Sequence, residues 1–135
     1  IESIQKLWQG CGAHTSLMTP YQHDEMLAMT SHLPHILAFT FMNHMLSNST
    51  EKNADTLLNF AGSGFRDFTR IASSSPEMWK DICLANRRLL LQQIRVYQNE
   101  LARMNEILED GDGAALEKFF LNAQVTRGKF LKDKH

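Results

Sequence analysis

The chain has 135 residues, of which 43% are hydrophobic, so it has the size and composition of one globular domain rather than of a disordered segment. Its 14 Lys and Arg residues nearly balance its 15 Asp and Glu residues, which disfavours a nucleic-acid-binding module because phosphate contacts need a cationic surface. Its two cysteines are too few for a disulfide framework, so we expect a cytoplasmic protein.

The amino-terminal 18 residues differ in character from the rest of the chain. A helix is predicted there, because four residues at helical spacing share one face: Ile4, Leu7, Trp8 and Cys11. Gly12 ends this helix, and residues 14–18 are expected to form a short strand. We therefore expect a helix–strand remnant over residues 1–18, attached to an otherwise all-helical domain over residues 19–135.

Two prolines mark the starts of helices. In Thr19-Pro20-Tyr21-Gln22 the threonine and the glutamine have the spacing of a capping box, and Ser75-Pro76 repeats the N-cap pattern. The first of these helices is predicted over residues 20–47. Its second half, residues 33–46, is apolar on nearly every side but shorter than the ~20 residues of a membrane span, so it predicts a buried helix.

The middle of the chain is predicted from its polar and glycine-containing segments. We expect a loop over residues 47–53, a short helix over 54–60, a tight glycine turn over 61–64 and one or two helical turns over 65–72. The longest helix is predicted over residues 76–108. It carries a heptad-like seam that requires a facing partner: Leu90, Ile94, Tyr97, Leu101, Met104 and Leu108.

The carboxy-terminal part is predicted to contain one further helix. A glycine turn at Gly111 ends the long helix, and residues 114–125 form the last one. Phe119 and Phe120 are expected to point inward, and residues 127–135 to be frayed.

Histidines form the first candidate site. His32 and His35 share a helix face, and His23 lies about two and a half turns earlier. Asp24 is expected to point away from His23 because the two are adjacent in sequence, so no metal site is predicted. Two interpretations remain, namely histidines held by hydrogen bonds in the core, or a polar pocket that faces a ligand.

Pro34 favours the pocket. Inside a helix, proline removes one N–H donor and clashes with the carbonyl group four residues earlier, here that of Thr30. Such kinks occur where a site or a tight packing contact requires them.

Neither glycine pair predicts a nucleotide-binding loop. Gly10 and Gly12 follow a helix rather than a strand, and Gly62 and Gly64 also lack the strand–turn–helix context. Helix endings and turns explain both pairs, so this chain is not expected to bind a cofactor by itself.

Arg70 is the second candidate. It ends the segment Phe65-Arg66-Asp67-Phe68-Thr69-Arg70, which alternates aromatic and charged residues. One interpretation is a short amphipathic helix with its charges in water. The other is that Arg70 binds a carboxylate through its two parallel N–H donors. Trp79 is most simply a core residue.

These motifs together resemble the carboxy-terminal domain of prephenate dehydrogenases, a family that also includes arogenate and cyclohexadienyl dehydrogenases. The resemblance extends over about residues 4–100, and the residues before Thr19 are similar to the last helix and strand of the family's nucleotide-binding domain. It rests on these segments in this order and spacing: Thr19-Pro20, His23-Asp24, Ser31-His32-Leu33-Pro34-His35, Gly62 to Ala72, Met78-Trp79 and Asn86.

The resemblance implies a helical dimerisation domain that closes the substrate site of a two-domain enzyme. The whole enzyme would bind NAD or NADP in an amino-terminal Rossmann domain. It would convert prephenate to 4-hydroxyphenylpyruvate and carbon dioxide in tyrosine biosynthesis. The family's catalytic histidine lies in that other domain, so the resemblance implies no catalytic residue in this chain.

Residue by residue, the resemblance implies that Arg70 binds a substrate carboxylate and that His35 lines the same pocket. Ser63 replaces a glycine that is common in the family, and it either adds a hydroxyl group to the wall of the site or caps the turn. Four residues are assigned structural or supporting positions: His23, His32, Asp67 and Trp79.

The expected partners are a second copy of the chain and prephenate or arogenate, with neither nucleic acid nor membrane. The sequence leaves open which of the two substrates and which nicotinamide cofactor is preferred, whether tyrosine inhibits, and whether another shikimate-pathway enzyme is fused. The alternative function is a stand-alone helical module that dimerises or binds an aromatic amino acid for regulation.

Overall fold

The computed structural model describes residues 1–48 and 59–132, and its regular structure is helical. A π turn at Ala28–His32 and a 3-10 turn at Arg70–Ser73 lie between helices. Because no strand occurs in the described ranges, the predicted all-helical fold class is confirmed. The helices in chain order are α1 (Glu2–Gly10), α2 (Pro20–Leu27), α3 (Leu33–Asn48), α4 (Ser63–Thr69), α5 (Pro76–Ala85), α6 (Arg87–Asp110) and α7 (Gly113–Lys132).

The chain divides into two compact units, Ile1–Leu91 and Gln92–His135. The boundary lies within α6. The division that we predicted after residue 18 is a different one and stays a prediction.

Both predicted helix starts are confirmed. The Thr19 side chain accepts a hydrogen bond from the backbone N–H of Gln22, and the Gln22 side chain accepts one from the backbone N–H of Thr19 at 2.9 Å, which completes the capping box. At α5, the Ser75 hydroxyl accepts from the backbone N–H of Met78. These caps satisfy N–H groups that have no partner inside the helix, so local sequence alone defines where α2 and α5 begin.

The kink predicted at Pro34 takes the form of the π turn. The backbone N–H of Leu33 donates to the carbonyl oxygen of Ala28, five residues earlier. Pro34 follows immediately and has no N–H to donate, so the wider turn accommodates the residue that an α-helix would exclude. The helix predicted over residues 20–47 is therefore α2, the π turn and α3 in succession.

The long helix predicted over residues 76–108 is wrong in one respect, because it is interrupted at Asn86. This residue has backbone angles φ −104° and ψ 26° between α5 and α6. Its side-chain Nδ2 donates to the carbonyl oxygen of Asp24 at 2.7 Å. Asparagine side chains compete with helical hydrogen bonding in this way.

The core of the unit Ile1–Leu91 lies around the π turn. α4 and the 3-10 turn both pack against α3. The Phe41 ring on α3 lies 5.9 Å from the ring of Phe65 and 5.7 Å from that of Phe68, so these rings hold α4 against α3. The most buried residues are Ala28, Leu33, Ala38, Trp79, Leu89 and Leu90, together with the polar His32 and Asn86.

Two predictions in the first half of the chain need correction. Residues 14–18 form no strand, because a strand needs a neighbour for its hydrogen bonds and the described ranges contain none. The expected glycine turn is instead the start of α4, where Gly62 has φ −76° and Ser63 is the first helical residue. The helix predicted over residues 54–60 lies largely outside the described residues, as does the loop predicted over 47–53.

The unit Gln92–His135 contains the remainder of α6 and all of α7. Gly111, with φ 63°, forms the predicted turn, and Asp112 Oδ1 caps α7 by accepting from the N–H of Ala115 at 3.0 Å. The Arg103 guanidinium lies 5.7 Å from the ring centre of Phe119. The large apolar side chains exposed in this unit include Leu101, Leu108, Phe120, Leu121, Val125 and Phe130.

α7 is longer than predicted. Residues 127–132 continue the helix, so the expected frayed tail is wrong for them, and the last three residues lie outside the described range. Phe119 is half-buried, but Phe120 is 56% exposed, so the inward orientation is wrong for Phe120. Adjacent residues on a helix point about 100° apart, so a single packing partner cannot cover both.

Candidate functional site

His35 lies in the first turn of α3, with its ring against the indole of Trp79. The two ring centres are 3.9 Å apart and the ring planes are inclined by 23°. His35 Nδ1 lies 2.9 Å from the carbonyl oxygen of Ser31, and a carbonyl can only accept, so Nδ1 carries a proton and donates. When the ring is neutral, Nε2 is therefore an acceptor. The side chain is half-buried, as a residue lining a pocket would be, and its substrate role stays a prediction.

His32 lies deeper, at the end of the π turn. Its Nδ1 is 3.3 Å from Nδ2 of Asn86, and its ring meets the Trp79 indole edge-on with 6.0 Å between centres. Burial lowers the pKa of His32, and the nearby His23 and His35 act in the same direction, whereas Asp24 opposes the change. His32 is therefore neutral at physiological pH and serves as a hydrogen-bond acceptor within the protein.

Trp79, which lies on α5, contacts the rings of both histidines. Its side chain is 7% exposed, and its indole Nε1 is buried without a hydrogen-bond partner in the described part of the chain. The indole therefore contributes packing to His32 and His35, in agreement with the core position expected from the sequence.

Arg70 begins the 3-10 turn, which packs against the helix that carries His35. Its side chain is exposed and makes no hydrogen bond or ion pair with the described residues. Arg66, one helical turn earlier, differs because its Nη2 donates to the carbonyl oxygen of Ala61 at 2.9 Å. Of these two guanidinium groups, that of Arg70 is thus the one whose donors are not used by any residue in 1–48 or 59–130.

Ser63 and Asp67 belong to the same short segment. Both are exposed, and neither side chain has a hydrogen-bond partner in residues 1–48 or 59–130. A Cβ atom added at Gly62 or Gly64 would meet open space, so the fold of this chain does not require glycine at either position. Ser63, between these two glycines, is exposed.

The expectation that Asp24 points away from His23 is wrong. The Nδ1 atom of His23 lies 3.0 Å from Oδ1 of Asp24, so the two adjacent side chains do meet, on the protein surface. Both are at least half exposed, which makes the pair a weak contributor to stability. No three His, Cys, Asp or Glu side chains gather as a metal-binding group within the described ranges.

The residue that sequence reasoning missed is Asn86. The resemblance included it without a role, but in the structure its Nδ2 lies 2.7 Å from the carbonyl oxygen of Asp24 and 3.3 Å from Nδ1 of His32. The available signal was weak: asparagine favours helix ends, but the helix predicted over residues 76–108 also contains Asn99 and Asn105.

None of the helices in residues 1–48 and 59–132 combines the length and the apolar character required to cross a bilayer.

The chain is similar to known enzymes along almost its whole length. It is 33% identical to a cyclohexadienyl dehydrogenase of Zymomonas mobilis and 35% identical to a prephenate dehydrogenase of Bacillus subtilis, each over 127 residues and 94% of this chain. It covers only 43% and 34% of those relatives. The crystal structure of prephenate dehydrogenase from A. aeolicus in complex with hydroxyphenyl propionate and NAD+ superposes with a TM-score of 0.88 at 29% identity, over 96% of this chain and 44% of that one.

The family model described as prephenate dehydrogenase, dimerization domain, matches residues 19–122. That range contains the histidine pair, the Phe65–Arg70 segment, Trp79 and Asn86. The chain therefore belongs to the prephenate dehydrogenase dimerization-domain family.

Proposed function

We propose that this chain is the carboxy-terminal part of a dehydrogenase that acts on prephenate or arogenate. With prephenate, the reaction is oxidative decarboxylation to 4-hydroxyphenylpyruvate with a nicotinamide cofactor, in the cytoplasmic biosynthesis of tyrosine. The observation that carries the proposal is the family match over residues 19–122. It is supported by Arg70, which has no partner among the described side chains and lies on a turn packed against the helix of His35.

Arg70 binds a carboxylate of the substrate. Prephenate carries two carboxylates, and a guanidinium holds one of them through two parallel N–H donors while remaining charged at every relevant pH. The 3-10 turn supports this role, because Ser73 Oγ donates to the Arg70 carbonyl oxygen at 2.7 Å and so stabilises the backbone beneath the side chain.

His35 forms the wall of the same pocket. Its Nδ1 is engaged by Ser31, and the Trp79 indole fixes the plane of its ring, so Nε2 is the atom that remains for a substrate oxygen. Ser63 contributes an exposed hydroxyl at the start of α4. These groups bind and orient the substrate and are not proposed to transfer hydride or proton.

The first glycine pair of the chain does not form a dinucleotide-binding loop. Gly12, with φ 81°, ends α1, where the N–H of Ala13 returns to the carbonyl oxygen of Trp8 at 3.0 Å. No helix opens at this glycine, and no strand precedes it, so the backbone cradle of a dinucleotide loop is not formed. We propose that NAD or NADP is bound by the nucleotide-binding domain of the whole enzyme, as the resemblance implies.

The chain also forms a homodimer. The matched family is described as a dimerization domain, and the unit Gln92–His135 exposes several large apolar side chains on α6 and α7. Burial of such surface between two copies would provide the driving force, and an obligate interface of this type buries on the order of 2,000 Å² or more.

The test is an assay of the whole protein that contains this chain, beside the purified 135-residue chain. Reduced cofactor is measured with prephenate and with arogenate, each with NAD and with NADP. We expect one of the four combinations to be turned over by the whole protein and none by the isolated chain. Failure of the whole protein in all four would refute the proposal, and binding of tyrosine or phenylalanine by calorimetry would then favour the regulatory module.

A further inference from the structure

The side-chain amide of Asn86 joins parts of the chain that are far apart in sequence. Its Nδ2 lies 2.7 Å from the carbonyl oxygen of Asp24, within α2, and 3.3 Å from Nδ1 of His32, at the end of the π turn. The carbonyl of Asp24 can only accept, so the short contact identifies Nδ2 as the donor and settles the orientation of the amide.

The second hydrogen on Nδ2 is then directed to His32. Its Nδ1 must hold a lone pair, and the imidazole must be the neutral tautomer with its proton on Nε2. The two nearby histidines consequently have opposite tautomers, since His35 donates from Nδ1 to Ser31. Asn86 determines the tautomer of His32, and the backbone carbonyl group of Ser31 determines that of His35.

The same amide supports the π turn where the backbone is weakest. Pro34 provides no N–H, so the turn Ala28–His32 lacks one of the hydrogen bonds that a regular helix would have. Asn86 contacts the chain before this turn, at the carbonyl oxygen of Asp24, and at the last residue of the turn, His32. His32 in turn contacts the edge of Trp79, and Trp79 stacks on His35.

We infer that Asn86 is a positioning residue for the pocket wall formed by His35, acting through the π turn, His32 and Trp79. The geometric part of this inference is independent of the enzyme activity. Its kinetic consequence rests on the proposed function, in which His35 contacts the substrate.

The first measurement is the tautomer of His32. The whole protein that contains this chain is labelled with 15N-histidine, and the His32 signals are identified by their absence in His32→Gln. In the parent protein we expect the 15N signals of His32 to show the proton on Nε2. In Asn86→Asp this pattern should be lost, because a carboxylate accepts from Nδ1–H and favours the other tautomer or the cation. A parent protein with the proton of neutral His32 on Nδ1 would overturn the inference without any variant.

The second measurement separates positioning from stability. Asn86→Ala should raise the KM for the substrate roughly tenfold, the factor expected when buried partners lose one hydrogen bond, with a smaller change in kcat. Asn99→Ala, the same change at an exposed position of α6 on the helix face opposite Leu101 and Leu108, should leave KM unaltered. Leu89→Val removes one buried methylene group three residues after Asn86 and serves as the control for lost stability.

The inference would be overturned if Leu89→Val and Asn86→Ala lost the same melting temperature and raised KM equally. An unchanged KM in Asn86→Ala would also overturn it. If Asn86→Ala does not fold, the tautomer of His32, measured in the parent protein and in Asn86→Asp, still tests the inference. An inactive parent protein would refute the proposed function, while the tautomer measurement would still decide the role of Asn86.

Discussion

Replacement of Arg70 by alanine should separate an effect on substrate binding from an effect on folding. The Arg70 side chain is exposed and without a partner among the described residues. The hydrogen bonds at this position, from Ser73 Oγ to its carbonyl oxygen and from its N–H to the carbonyl oxygen of Arg66, involve its backbone. The substitution leaves those bonds in place. The free energy of unfolding should therefore change by no more than about 0.5 kcal/mol, as for other surface positions.

The effect on substrate binding should be much larger. A carboxylate paired with a guanidinium in a partly desolvated pocket loses roughly 2–4 kcal/mol when the guanidinium is removed, which corresponds to a 30- to 1000-fold weaker affinity. Arg70→Lys keeps the charge but loses the parallel donors, so it should recover only a small part of this loss.

The assay is steady-state kinetics of the whole protein with varied prephenate, together with thermal unfolding of each variant. Arg66→Ala is the matched control, because Arg66 lies in the same short segment but donates to Ala61. It should lower stability by roughly 0.5–1.5 kcal/mol and leave KM unchanged. A KM for prephenate that is the same in parent, Arg70→Ala and Arg70→Lys would show that Arg70 does not bind the substrate.

Three further outcomes are expected. His35→Ala should alter the kinetics for the substrate by about tenfold while the melting temperature changes little, because the ring is only half-buried; a large loss of stability with unchanged kinetics would assign His35 to the core. Burial lowers the pKa of His32 in the folded chain, while the unfolded chain keeps the ordinary histidine pKa of about 6.5. Just below that pH the unfolded chain binds more protons than the folded one, so stability should fall as the pH drops. Denaturant titrations at several pH values should show this slope reduced in His32→Gln, and an identical slope would exclude His32 as its source. Leu101→Glu should weaken dimerisation, since Leu101 is an exposed apolar residue of α6; light scattering at micromolar concentration measures it, and an unaltered dimer would place the interface elsewhere.

The features that could be predicted from the sequence are those with local causes. The caps at Thr19 and Ser75 require only residues within one helical turn, and the turn at Gly111 requires only a residue that tolerates positive φ. The disturbance at Pro34 was also predictable, since the missing N–H is a property of proline itself.

What could not be predicted depends on contacts between distant segments. Asn86 interrupts the helix because its amide finds a carbonyl group 62 residues earlier, and apolar periodicity carries no trace of that contact. The stacking of His35 on Trp79 likewise joins α3 to α5, and the spacing of histidines along one helix does not reveal it. For the same reason, the sequence left both a core and a pocket open for the histidine pair.

The π turn also has a consequence for how this chain tolerates changes in length. A π turn accommodates one residue more than the α-helical repeat, so every side chain after His32 is rotated by about 100° relative to an uninterrupted helix from Pro20. Deletion of a single residue such as Met29 would restore the regular repeat and turn α3 by that angle, which would carry His35 away from the Trp79 indole. The helical phase of α3, and with it the direction in which the pocket wall faces, therefore depends on one inserted residue rather than on the composition of the helix.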